Sequence, residues 1–99
     1  MARFDLFRAQ GGRGYLLDVQ HRMHDHLSTR VVIPLLPEAD APPPSRDLNP
    51  RFVLEDGPHL LFPQYLAAVP KRELGRPVAN LEAHRDAVTK ALDLLLTGF

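Results

Sequence analysis

Arg30-Val-Val-Ile-Pro-Leu35 is the stretch on which the fold turns. Its three consecutive β-branched residues suit a pleated, half-buried surface and are stiff in a helix. Pro34 has no N–H for a ladder, so the sequence places it at a sheet edge, a bulge or a strand end. Upstream, Tyr15-Leu-Leu-Asp-Val-Gln20 reads as a second strand. Arg3 to Arg8 reads as a third, with Phe4 and Leu6 on one face and Asp5 on the other, although Phe7 breaks the alternation. Gln10-Gly-Gly-Arg-Gly14 between them is a loop. His21 to Thr29 is polar and has no period.

Downstream, Ala41-Pro-Pro-Pro-Ser45 favours polyproline II, so Pro37 to Pro50 reads as a surface excursion. Arg51-Phe-Val-Leu-Glu55 is another strand. Asp56-Gly57 signals a hairpin turn, and His59 to Val69 returns. Pro70 to Pro77 is a short connection, with a turn of strand around Glu73-Leu74. The last element is helical. Asn80 is its expected N-cap, and Glu82 suits the first turn. Leu81, Val88, Leu92 and Leu95 make one apolar stripe, extended by Phe99 and supported by His84 and Ala91. Asp86, Lys90, Asp93 and Thr97 fill the opposite arc, with Asp86 and Lys90 spaced for an i,i+4 ion pair. Leu94 and Leu96 sit at the margins. Gly98 fits the left-handed position past a helix end. Phe99 either folds back on Leu95 or is presented outward. The order of elements predicts a mostly β, α+β domain spanning 1–99: a small, strongly curved antiparallel sheet with one C-terminal helix packed on it.

Composition narrows the function. In 99 residues, 12 Lys+Arg balance 12 Asp+Glu. Zero net charge argues against a generic nucleic-acid or membrane-surface binder, and no sequence-specific nucleic-acid binding is expected. There is no cysteine, hence no thiolate metal site or thiol nucleophile. No apolar run reaches the ~18 residues of a membrane span. Asp5 and Arg8 interrupt the place of a signal peptide, so a cytoplasmic protein is expected. Ser28 and Ser45 lie in no nucleophile elbow, and Gly11 to Gly14 lacks the Lys-Ser/Thr of a phosphate loop. His21, His24, His26 and Asp25 share one loop, but no regular spacing orients them as ligands. No catalytic activity, metal or cofactor is expected.

Five segments then line up in order and spacing: Asp18-Val-Gln20, Thr29-Arg-Val-Val-Ile-Pro-Leu35, Leu48-Asn-Pro50, Ala68-Val-Pro70 and Ala91-Leu-Asp-Leu-Leu-Leu-Thr-Gly-Phe99. With them the chain resembles, over nearly its whole length, the CcdB family of plasmid and chromosomal toxins. The resemblance implies a homodimer with an SH3-like barrel and a C-terminal helix. It implies binding to the A subunit of DNA gyrase and trapping of the enzyme with its DNA strands cleaved. It also implies neutralisation by a CcdA-like antitoxin whose disordered segment folds on the toxin. Carried over by position, the gyrase-facing residues are Met23, His24, Asp86, Lys90, Asp93, Leu96, Thr97, Gly98 and Phe99. The family's last three residues are often Trp, Gly and an apolar residue; Gly98 and Phe99 follow that pattern and Thr97 departs from it. The antitoxin contacts overlap this region and include Gln10, Gly11, Gly12, Arg13 and Gly14.

Two other readings compete. The related MazF/Kid toxins cleave RNA on a barrel of the same type, which needs an acid–base pair and a cation over the phosphate. His24, Asp25 and Arg30 supply those residue types. A dimeric interaction module without toxicity is the third reading, and Thr97 is the residue that supports it.

Overall fold

The computed structural model describes residues 1–98. The strands are β1 (Asp5–Arg8), β2 (Tyr15–Asp18), β3 (Thr29–Pro37), β4 (Arg51–Leu54), β5 (Gly57–Leu61), β6 (Ala67–Pro70) and β7 (Ala79–Asn80). They form a curled antiparallel sheet in the order β4-β5-β3-β2-β1-β7, with β6 also on β3. The expected α+β class, mostly β with a terminal helix, is the one observed. β3 is the hub. One edge pairs with β2; the other pairs first with β6, through Thr29 to Val32, and then with β5, from Leu35 to Pro37.

That change of partner explains Pro34, which sits inside β3 and not at its end. It lies between the last β6 pair at Val32 and the first β5 pair at Leu35. Its carbonyl accepts from Phe62 N at 3.0 Å, and its missing N–H falls in the gap between the two partner strands.

Phe7 also has a physical reason for breaking the alternation. The sheet face carrying Phe4, Leu6, Tyr15, Leu17, Ile33 and Leu35 packs the main core. Phe7 and Val32, on the reverse face, are covered by Leu74 from the Pro70–Pro77 connection. Both faces are apolar there, so period two fails as a signal. The connection itself makes a 3₁₀ turn at Lys71–Glu73, not a strand.

Two further boundaries differ. The expected His59–Val69 strand is β5, a 3₁₀ turn at Pro63–Tyr65, and β6. The hairpin loop is Glu55-Asp56, because Leu54 pairs with Gly57, whose φ is 114°.

The helix α1 spans Arg85–Thr97. Asn80 does not cap it. Leu81 N is committed to the sheet, donating to Phe4 O at 2.8 Å. Asn80 pairs with Asp5 in β7, and its Oδ1 accepts from Glu82 N at 2.8 Å. Asn80 thus turns the chain into a 3₁₀ turn, Glu82–His84, whose N-cap is Leu81 and which leads into α1. Val88 and Ala91 are buried against the main core together with Leu81, and Leu92 packs beside them. Fully burying a Val or Leu side chain contributes ~1.5–3 kcal/mol. The Asp86–Lys90 pair does not form; Asp86 lies 3.9 Å from Arg85, and Arg85 lies 3.6 Å from Glu82. No helix among the described residues is long and apolar enough to cross a membrane.

Candidate partner-binding site

Met23 and His24 sit on a one-turn 3₁₀ helix, Arg22–His24, that projects from the sheet. Met23 is 72% exposed. A large apolar side chain so exposed suits a contact surface. The projection is braced from below by a buried polar network. Arg30 is fully buried. It donates to Asp18 through Nε at 2.8 Å and through Nη2 at 2.9 Å, and its Nη1 reaches Asp25 at 2.5 Å. Gln20 accepts from Val31 N and donates to His24 O, both at 2.9 Å. Lys71 Nζ donates to Asp25 O. The motif Asp18-Val-Gln20 therefore has a mechanical meaning. Asp18 holds the arginine, the arginine holds Asp25, and Gln20 holds the backbone of His24.

The charges in this network are strongly biased. Burial opposes the charge on Arg30, but its hydrogen bonds to Asp18 and Asp25 more than offset this and raise its pKa. The hydrogen bond from Arg30 lowers the pKa of Asp25. A depressed carboxyl contributes stability that is complete above its unfolded value of about 3.9 and is lost as pH falls through the folded value. Acid unfolding is therefore expected to set in below about pH 4. Monitored by circular dichroism, Asp25→Asn should flatten this low-pH limb. An unchanged acid limb would show that Asp25 contributes nothing there.

Arg30 is fully buried and tied to buried Asp18 and half-exposed Asp25, so it is not presented to a phosphate, and the trio His24, Asp25 and Arg30 loses its cation. His21 Nδ1 accepts from Met23 N at 3.0 Å and serves as a cap for the turn.

On α1, Asp86, Lys90, Asp93 and Thr97 are all exposed. Their spacing of four, three and four residues puts them on one helix face, opposite Val88 and Ala91. Leu96 is 69% exposed at the margin of that face. Thr97 Oγ1 donates to Asp93 O at 2.6 Å, so its hydroxyl is satisfied within the helix. Gly98 takes the expected left-handed conformation, φ 80°, and its N–H closes on Leu94 O at 3.0 Å. A Cβ there would meet open space in this chain. The demand for glycine is conformational. Phe99, the last of the expected contact residues, lies outside the described residues.

The loop that carries Met23 and His24 adjoins one end of α1. His21, Arg22 and Asp25 share a cavity with Glu82 and Arg85, at the start of α1. Leu96 to Gly98 close its other end, ~18 Å away along a 13-residue helix.

The loop Gln10, Gly11, Gly12, Arg13 and Gly14 joins β1 to β2. Gln10 Nε2 donates to Glu73 O at 2.7 Å, and Arg13 pairs with Asp40 at 2.6 Å. Gly14, with φ 92°, cannot be replaced, because a Cβ would stand 2.3 Å from Leu35 O. It lets the loop turn tightly over β3.

The network beneath Met23 is the part that sequence reasoning missed. A signal existed. Antiparallel pairing of β2 with β3 puts Asp18 opposite Val32, so Arg30 is its diagonal neighbour on the same face. A charged residue at that register needs an opposite charge close by.

The chain belongs to the CcdB family, whose model, described as CcdB protein, matches residues 3–98. It is a toxin of the toxin–antitoxin type. The comparison with curated proteins found no match.

Proposed function

We propose that this protein binds the A subunit of DNA gyrase and traps the gyrase–DNA cleavage complex, acting as a binding protein and not as a catalyst. The observation that carries this reading is the solvent face of α1. It is polar along Asp86, Lys90 and Asp93, is edged by exposed Leu96, and ends in a left-handed Gly98. A rigid helix presents such a patch without ordering a loop on binding, which keeps the entropic cost low. Leu96 supplies an apolar anchor and the charged residues a rim. Met23 and His24 add a second contact on a braced turn. A CcdA-like antitoxin binds the Gln10–Gly14 loop and overlaps the gyrase surface, in the cytoplasm.

The functional unit is a homodimer. The length of α1 between the loop beside its start and Leu96 near its end favours two copies that build the surface together. Light scattering at micromolar concentration is expected to give about twice the 11.1 kDa chain mass. A monomer at every accessible concentration would overturn the dimer.

The direct test of function incubates the full-length protein with gyrase, ATP and supercoiled plasmid, followed by detergent and protease. Linear DNA that accumulates with toxin concentration supports the reading. If gyrase from the protein's own host never yields cleaved DNA, the poison assignment fails and the non-toxic module takes its place.

A further inference from the structure

Asp56-Gly57 is the one step in the chain where glycine follows a carboxylate or an amide of the Asp/Asn type. The other glycines follow Gln10, Gly11, Arg13, Leu74 and Thr97. Glycine leaves its main-chain nitrogen without the side chain that would shield it. In this fold the pair closes the β4–β5 hairpin. A Cβ on Gly57 would meet open space, and the Asp56 side chain is 51% exposed. Asp56 also lines a cavity of about 510 Å³ between Gly12–Gly14, Pro37–Ala39 and the hairpin, so water reaches it.

One side chain restrains the Asp56 carboxylate. Tyr15, on β2, donates its hydroxyl to Asp56 Oδ1 at 2.8 Å. Tyr15 is buried. Burial raises the pKa of its hydroxyl, which therefore stays a donor. The same hydrogen bond holds the Asp56 carboxyl below its ordinary range, in the ionised form. His59 does not share this task. Its Nε2 is buried without a hydrogen-bond partner and stands 3.9 Å from Asp56 Oδ1, beyond hydrogen-bond reach.

We propose that Asp56-Gly57 is a site of spontaneous aspartate isomerisation and that the Tyr15 hydroxyl is the latch that sets its rate. In the first step Gly57 N bonds to Asp56 Cγ. The Cγ–O bond breaks, the leaving hydroxyl takes the amide hydrogen and departs as water, and a cyclic imide remains. In the second step one water opens the imide. Opening at Cγ restores aspartate. Opening at the main-chain carbonyl of Asp56 leaves the backbone running through Cγ, which is isoaspartate. Neither step changes an oxidation state. Tyr15 opposes the first step twice. Ring closure must bring Cγ to bonding distance of Gly57 N, while the hydrogen bond ties the carboxyl to another strand. Closure also needs the neutral carboxyl, because oxide is a poor leaving group, and the hydrogen bond favours the anion. The product does not fit the hairpin. It adds one main-chain atom between Leu54 and Gly57, which pair across the turn. β4 also carries Phe52, edge-on to His84 at 5.2 Å, so a loosened hairpin reaches the residue just before α1.

The test incubates the full-length chain at physiological temperature and pH for several weeks, followed by trypsin. The peptide 52–71 contains Asp56 as its only aspartate and has no asparagine. Isoaspartate in it is measured by electron-transfer fragmentation, beside the free peptide acetyl-Leu-Glu-Asp-Gly-Pro-His-amide. The folded chain should isomerise severalfold more slowly than the free peptide. Tyr15→Phe, which keeps the ring in the core, should isomerise severalfold faster than the unaltered chain, with hydrogen exchange at the hairpin amides unchanged. Chain enriched in isoaspartate should melt at a lower temperature. A folded chain as fast as the free peptide, or an unchanged rate in Tyr15→Phe, would overturn the latch. So would a faster rate matched by faster amide exchange across the hairpin, since opening of the turn would then be the cause. Absence of isoaspartate from Tyr15→Phe would overturn the site itself.

Discussion

Deleting Gly98 and Phe99 is expected to leave a folded dimer that no longer traps cleaved gyrase. Among the described residues, the core does not draw on Gly98. Leu81, Val88 and Ala91 dock the helix on the sheet, and each is within 7% of complete burial. Removing Gly98 takes away the hydrogen bond from its N–H to Leu94 O at the helix end. Loss of a terminal hydrogen bond of this kind costs ~1 kcal/mol, enough to fray the last turn without unfolding the domain. Function should respond on another scale. The deletion takes away the last two of the expected gyrase-facing residues, and truncating a hot spot of a contact surface costs about 2 kcal/mol or more, at least ~30-fold in affinity. The assay is gyrase-dependent plasmid linearisation, run beside a thermal melt and growth arrest in cells. A truncated protein that melts normally and still linearises plasmid would place the site elsewhere.

The second large effect is expected at Arg30. Replacing Asp18 by Asn leaves a guanidinium sealed in the interior with half its charge compensation gone. Breaking one side of a buried ion pair costs ~3–5 kcal/mol, a large part of the stability of a small domain. Urea denaturation should record that loss as a lower midpoint. The double replacement Asp18→Leu with Arg30→Met should recover much of it, because apolar residues of similar volume are often neutral at such sites. The double variant also separates stability from function. With Arg30 gone, Asp25 loses its partner at 2.5 Å and the turn carrying Met23 loses its brace. A protein that is stable but weak toward gyrase is the expected outcome. Full poisoning by the double variant would mean that the brace is dispensable.

Much of the fold was legible in residue pattern. The β-branched run at β3, the turn at Gly57 and the stripe of α1 each carry a local cause, and each was found near its predicted place. The misplacements share one origin. Pro34, Phe7 and Asn80 were read against a local template, and each obeys a distant partner instead. Phe62 takes the Pro34 carbonyl, Leu74 covers Phe7, and Phe4 draws Leu81 into the sheet. The site was legible in a different way. The spacing of Asp86, Lys90, Asp93 and Thr97 announces a solvent face but not its purpose, which came from resemblance. The bracing network was hidden because Asp18, Asp25 and Arg30 each look like ordinary surface residues until the register of β2 with β3 is known. His59 was hidden for the same reason. A histidine in a strand gives no warning that one ring nitrogen will be sealed without a partner.

The pairing of β1 with β7 has a consequence in time. Asp5 meets Asn80 across the sheet, so β1 must wait for every element between the two before its outer edge is filled. Translation proceeds at about 5–20 residues per second, which leaves that edge open for several seconds on the ribosome. Contacts of such sequence separation also slow the folding step itself. α1 can dock only after β7 has been laid down beside β1, because Leu81 follows directly on Asn80. The surface at the end of α1 thus forms after the Gln10–Gly14 loop and after the strands on which the helix packs. Under the function proposed above, a partner of the Gln10–Gly14 loop would find its site made before the helix surface that meets gyrase.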